Sequence, residues 1–322
     1  PSAQVKIPLA TVNRHGLIAG ATGTGKTKTL QVIAEQLSTA GVPVVMADVK
    51  GDLSGLAQPG AANDKTAQRA TDTGDEWTPT AFPVEFLSLG TTGIGVPVRA
   101  TVTSFGPILL SKVLGLNQTQ ESTLGLIFHW ADQKGLLLDD LKDLRGVIQF
   151  LTSDEGKEEL KALGAVSPAT AGVILRALIN LEAEGGDTFF GLPELKPEDL
   201  MRLDPQGRGI ITLLELGSQA ARPVLFSTFL MWVLADLFTT LPEIGDADKP
   251  KLVFFFDEAH LLFADASKAF LDQVEQTVKL IRSKGVGVFF CTQLPTDIPN
   301  DVLSQLGARV QHAIQIGRAS CR

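Results

Sequence analysis

The segment Gly20–Thr27 reads GATGTGKT and meets the spacing GxxxxGK[ST] at each fixed position. Each residue type there answers a chemical need. Glycines let backbone N–H groups turn inward around phosphate oxygens, the lysine reaches the terminal phosphates, and the threonine hydroxyl is a Mg²⁺ ligand. The nucleotide-binding set is therefore Gly20, Thr22, Gly23, Thr24, Gly25, Lys26, Thr27 and Lys28, with Thr27 on the metal. A second cluster lies far along the chain, at Lys251–Glu258, KLVFFFDE. Asp257 and Glu258 end an apolar run there. An aspartate at such a place can support Mg²⁺, and a glutamate beside it can polarise water for attack on a γ-phosphate. A third polar residue, Gln293, closes the run GVFFCT and can sense the γ-phosphate or orient water. Arg282, in KLIRSKG, is either a cation that complements a helix carboxyl end or a finger for a neighbouring subunit's site.

These residues need particular elements to carry them. Gly16–Ala19 is a short apolar run suited to a buried strand, and Leu30, Ile33, Ala34 and Leu37 recur at helical spacing after the loop. That helix would point its amino end, where the macrodipole favours anions, at the phosphates. The runs Leu252–Phe256 and Gly287–Thr292 are apolar throughout, as strands buried on both faces of a parallel sheet are. Asp257 and Glu258 then fall at a strand's carboxyl end, where open α/β sheets bind ligands. Further strands are expected at Val42–Ala47, Val84–Leu89 and Gly209–Leu216, with a polar stretch over Gly60–Thr80. From Ser104 to about Asp204 the pattern is helical. Asn117 with Gln120 marks one helix start, Asp139 precedes another, and Ser167-Pro168 supplies a cap and a first-turn proline. Val224–Phe238 reads as an apolar core helix too short to span a membrane.

GATGTGKT, FFFDEAH and RSKGVGVFFCTQLPTDIP together resemble the HerA/FtsK superfamily of P-loop motor ATPases, and within it a HerA-like bacterial ATPase family. ADVKGDLSGLA (Ala47–Ala57) and LSQLGARVQHA (Leu303–Ala313) share the likeness. The resemblance implies an α/β fold of the P-loop NTPase type, RecA/FtsK-like, with a mostly parallel, helix-flanked sheet. It implies ATP and Mg²⁺ as cofactors, phosphate contacts from Lys26 and Thr27, Mg²⁺ support from Asp257, and Glu258 as the catalytic carboxylate. Gln293 matches the polar sensor, Arg282 the arginine near it, and Arg309 is a weaker candidate for a second interface arginine. A homo-oligomeric ring, a hexamer, is implied, with double-stranded DNA and a nuclease or other protein as candidate partners.

Composition bounds these readings. The chain has 322 residues, 44 % hydrophobic, with two cysteines, Cys291 and Cys321, and no CxxC or His/Cys cluster, so neither a disulfide framework nor a zinc site is expected. Residues 1–103 and 208–315 are expected to form the ATPase core and 104–207 a helical insertion. The insertion holds nine Lys/Arg against sixteen Asp/Glu and so carries most of the chain's net charge of −8. Polyanion binding needs phosphate-neutralising cations, which makes the insertion a poor DNA arm and its acidic face a solvated surface. Arg99 and Lys268 are candidate backbone contacts on the core. The chain begins Pro1-Ser-Ala, and Ile316–Arg322, IGRASCR, resembles a translated sequencing adapter, so 316–322 is set aside as a non-native tail and the chain is read as a fragment. A cytoplasmic location is expected. Three other functions stay open at this level. A GTPase-like switch would use Asp48–Gly51, which fits DxxG, but no NKxD follows; a P-loop kinase would not need the adjacent carboxylates; and an assembly ATPase would use the same site without moving DNA.

Overall fold

The computed structural model describes residues 6–74, 76–89, 94–162, 167–216, 223–245, 247–263 and 268–314. Eight strands build one sheet: β1 (Gly16–Ala19), β2 (Val44–Asp48), β3 (Val84–Ser88), β4 (Val96–Pro97), β5 (Ile211–Glu215), β6 (Leu252–Phe256), β7 (Val286–Thr292) and β8 (Ala308–Gln311). Their order is β4-β3-β5-β2-β6-β7-β1-β8, and each pairing is parallel. The expected strands fall where the apolar runs are, with ends shifted by one or two residues. β4 and β8, at the two edges, had no such run to announce them.

A parallel sheet needs both faces covered, and strand alternation divides the side chains between two cores. Ile18, Val44, Met46, Val253 and Phe255 face one cluster with Leu30, Ala34 and Leu37 of helix α1 (Lys26–Thr39). Leu17, Val45, Ala47, Phe254 and Phe256 face the other. That second cluster is filled by α9 (Pro223–Thr240) and α11 (Lys268–Ile281). Beyond them it continues without a break into α3 (Val102–Val113), α4 (Gln118–Gln133), α5 (Leu141–Thr152) and α7 (Pro168–Leu181). The short helices α6 (Lys157–Ala162) and α8 (Asp187–Phe189) complete the segment. Phe189 binds it to the sheet layer: its ring meets Phe105 at 6.4 Å and Trp232 of α9 at 6.2 Å, both edge-on.

Caps fix the helix starts. Asn117 and Gln120 form a reciprocal capping box, and the Ser167 hydroxyl accepts from Ala169 and Thr170 ahead of Pro168. The α5 cap is Asp140, one residue later than the sequence suggested, because its carboxylate accepts from both Lys142 and Asp143 N–H groups. The polar stretch after Gly60 contains α2 (Asp64–Thr73), started by a capping box between Asn63 and Thr66 and buried nowhere along its length. Two short helices, α10 (His260–Phe263) and α12 (Asn300–Leu303), complete the set. Among the described residues no helix is long and apolar enough to cross a membrane.

Candidate active site

The loop after β1 is rooted on both sides. Gly20 N–H donates to the Thr292 carbonyl at 3.2 Å, and Ala21 N–H donates to the Ala313 carbonyl at 2.8 Å. Gly20 must lack a side chain, since a Cβ there would stand 2.5 Å from His312 Cβ and 2.9 Å from Thr24 Oγ1. Gly23 and Gly25 take φ of +79° and +99°, the left-handed region that favours glycine. Gly25 caps α1 without a side-chain hydrogen bond, so the first-turn amides of that helix are left for a ligand. Lys26 opens α1, is 8 % exposed, and donates its ammonium to the Ala21 carbonyl at 3.2 Å across the mouth of the loop. A buried cation resting on one neutral carbonyl is poised for an anion.

His312 was not singled out from the sequence. Its Nδ1 lies 3.0 Å from the Thr24 carbonyl and its Nε2 3.0 Å from Thr29 Oγ1. One ring thus bridges the loop and the first turn of α1 to the segment following β8. Lys28, two residues into the helix, has a partner within the chain. Its ammonium donates to Gln31 Oε1 at 2.8 Å, and the Gln31 amide donates to the Asp52 carbonyl at 3.2 Å. This chain of bonds ties α1 to the loop after β2.

β7 lies between β1 and β6, so the loop and the carboxylates stand two strand spacings apart, roughly 10 Å, at the same edge of the sheet. Cys291 pairs with Ile18 on one side and follows Phe290, the partner of Phe256, on the other. It registers the charges around it. Burial pushes the Cys291 thiol far above its usual range; Asp257 adds to the rise by charge and by hydrogen bonding, Lys26 opposes it, and Glu258 adds again. Burial likewise raises Asp257, against the hydrogen bonds from the Cys291 thiol and the Glu258 backbone. A carboxylate held dry at a strand end gains most from a hard divalent cation. Asp257 and the Thr27 hydroxyl supply oxygen donors of the kind Mg²⁺ takes together with substrate phosphates.

Glu258 leaves the strand at φ 48°, rare for a residue with a side chain. Its carboxylate is 6 % exposed and is paired with Lys50. Its other oxygen, Oε2, is buried without a hydrogen-bond partner, 3.3 Å from an equally unpartnered His260 Nδ1. Lys50 arrives from the turn that follows β2. Asp48 builds that turn: its fully buried carboxylate accepts from the N–H groups of Lys50 at 3.1 Å, Gly51 at 2.7 Å and Leu53 at 2.9 Å. Asp48–Gly51 is thus an aspartate-anchored turn with Gly51 at φ +73°.

Gln293 follows β7 directly and is exposed at the same carboxyl edge. Arg282 is at the opposite edge. α11 runs back from the carboxyl side, Arg282 opens the turn behind it, and β7 begins four residues later. Arg282 is close enough to His15, just before β1, for its charge to lower that imidazole further. The seven residues of β7 separate it from the loop by roughly 23 Å. The sequence allowed a reach to the chain's own nucleotide; this position removes it, and the helix-end cation and the finger for a neighbour's site stay open. Arg309 stands exposed in β8 opposite Leu17. Arg99 donates to the Leu192 carbonyl at 3.2 Å, within the chain, and Lys268 is exposed at the start of α11. Ile316–Arg322 lies outside the described residues.

An all-parallel sheet with a glycine loop feeding a helix at its carboxyl edge, and carboxylates two strands away, defines a P-loop NTPase core. The chain belongs to the helicase HerA-like C-terminal family, whose model matches residues 1–319. No curated protein sequence matches it. Among solved structures it is similar to the plasmid coupling protein TrwB bound to ADP and Mg²⁺, at 18 % identity and TM-score 0.57, covering 94 % of this chain and 69 % of that one. A form of the bacterial conjugative coupling protein TrwB in complex with sulphate gives 17 % identity and TM-score 0.55, covering 95 % and 71 %. VirB4 of Thermoanaerobacter pseudethanolicus gives 14 % identity and TM-score 0.53, covering 93 % and 77 %.

Proposed function

We propose that this chain is the motor core of a Mg²⁺-dependent ATPase of the HerA/FtsK type, working as a homo-oligomeric ring on double-stranded DNA. The observation that carries the reading is the convergence at one sheet edge of an uncapped helix amino end, buried Lys26 and the Asp257–Glu258 pair, with Lys26 and both carboxylates close enough to Cys291 for their charges to act on its thiol. Family membership and the similarity to TrwB, solved with ADP and Mg²⁺ and with an ATP analogue, support it.

In this reading the loop amides and Lys26 hold the phosphates, and Thr27 and Asp257 hold Mg²⁺. Bound there by Thr27 and Asp257, Mg²⁺ would supply neutralisation of phosphate charge. Glu258 accepts a proton from the attacking water through its unpartnered Oε2, and Gln293, at the end of the strand between, orients that water. No covalent intermediate on the protein is involved. TrwB has also been solved with a GTP analogue. With no NKxD motif to read guanine, ATP is expected to turn over faster than GTP here.

The test is ATP hydrolysis by the full-length protein with and without double-stranded DNA. Stimulation of several-fold, lost at high salt as phosphate contacts are screened, is the expected result. Turnover indifferent to DNA at all salt concentrations would instead fit an assembly or regulatory ATPase.

A further inference from the structure

Glu258 is held from the wrong side for its task. β6 has β7 and then β1 on one flank and β2 on the other, so the phosphate loop lies beyond one flank and Lys50 approaches from the other. Lys50 takes the Oε1 oxygen, the buried Oε2 has no hydrogen bond and only His260 Nδ1 near it at 3.3 Å, and the residue's backbone sits in the left-handed region. The two partners differ in freedom. The Glu258 side chain is 6 % exposed, whereas that of Lys50 is 52 % exposed. Asp48 pins the Lys50 backbone through three N–H bonds to the surrounding turn, but the lysine side chain has solvent to move into.

We propose that Lys50 is a latch on Glu258: in the nucleotide-free protein it ties the carboxylate to the β2 flank, and turnover requires the ammonium to let go. The proposal rests on Glu258 being the water-activating carboxylate. Lys50 is a positioning residue acting through Glu258, with no contact to the reacting atoms. The pair joins residues 208 positions apart, so it also reports on whether β2 and β6 keep their register at the site. The bond to Glu258 raises the Lys50 ammonium above its ordinary range, which makes the amine a poorer nucleophile while the latch is shut.

Two measurements on the assembled full-length protein test this. The first is the rate of Lys50 acetylation by an N-hydroxysuccinimide ester, read by peptide mass spectrometry. Lys50 should react several-fold faster in Glu258→Gln than in the unsubstituted protein, and faster in the unsubstituted protein once Mg²⁺ and adenylyl imidodiphosphate are added. Equal rates in all three states overturn the latch. The second is steady-state ATP hydrolysis without DNA. Lys50→Met should raise kcat about threefold or more with KM for ATP within about twofold, and Lys50→Arg, which keeps the charge, should stay slower than Lys50→Met. A kcat lowered or unchanged in Lys50→Met, with the protein folded, overturns it as well. Full turnover in Glu258→Gln would remove the site reading itself, an outcome distinct from failure of the latch.

Discussion

Lys26 and Glu258 face each other's problem at the residue scale: each is a charge kept out of water with too few partners of its own. Lys26 has one neutral carbonyl, and its natural partner is the anion it is placed to meet. Lys26→Ala removes a charge-assisted contact worth roughly 1.5–3 kcal/mol, so ATP affinity by titration calorimetry should fall at least about tenfold. Unchanged affinity would remove the phosphate-loop assignment. Glu258→Gln keeps the shape but loses basicity and the charge that holds Lys50. Turnover should drop by about 10²-fold or more, while ATP binding stays close to normal; a mutant at full speed would make Glu258 a bystander. Asp257 and Glu258 are neighbours with different surroundings. Burial and Cys291 govern Asp257, whereas Glu258 has turned off the strand toward Lys50 and His260. The two neighbouring carboxylates therefore sit in different surroundings.

Elements decide where such residues end up, and the joint between β1 and β7 shows it. His15 enters β1 at φ 60° and accepts the Val288 N–H at 3.0 Å through Nδ1, a bond that only an unprotonated nitrogen can accept. Burial, with a smaller push from Arg282, lowers its pKa from 6.5 to about 4. Above pH 6.5 the folded and unfolded chains both carry a neutral imidazole, and its contribution is fully present. As pH falls below 6.5 the unfolded chain takes up a proton that the folded chain refuses, and stability falls by about 1.4 kcal/mol per pH unit until the folded group titrates. Between pH 6.5 and 4.5 this one residue should cost roughly 2–3 kcal/mol. His15→Asn tolerates the positive φ, offers an oxygen to Val288 and does not titrate, so denaturation followed at both pH values should show a smaller acid loss than in the unsubstituted protein. An identical loss would place the acid sensitivity elsewhere. The same joint marks what the sequence could say. The glycine loop, the DE pair and the central strands were legible because local backbone chemistry and unbroken apolar runs specify them. Helix α2 was not, since it buries no residue and has no apolar stripe, only the Asn63–Thr66 box. Strand β8 was hidden because its side chains alternate between half-buried and exposed over only four residues. The bond from Lys28 to Gln31 was not legible either, since nothing in the local pattern marks that pairing. The Lys50–Glu258 and His312–Thr29 pairs span 208 and 283 positions, so nothing short of the strand order could disclose them.

For the whole molecule, the position of Arg282 turns a residue question into one about assembly. The arginine stands at the amino edge of the sheet and the phosphate loop at the carboxyl edge, with the length of β7 between them. No side chain spans roughly 23 Å, so if Arg282 serves catalysis it serves a neighbouring subunit whose carboxyl edge meets this amino edge. A head-to-tail contact of that kind is heterologous and closes only as a ring. A finger supplied in trans neutralises charge that develops in the transition state, so Arg282→Ala in the full-length protein should lower kcat by about 10³-fold or more and leave ATP affinity nearly intact. Lys26→Ala subunits are inactive for the opposite reason: they keep the arginine and lose the phosphate site. Mixed rings contain some interfaces that pair an intact loop with an intact Arg282, and ATP hydrolysis should partly return as the two mutants are titrated against each other. The return should also disappear on dilution below the assembly concentration, because each working site then loses its second half. A mixture that stays inactive while mass photometry shows co-assembly would confine Arg282 to its local role beside His15, and the shared-site mechanism would fall with it.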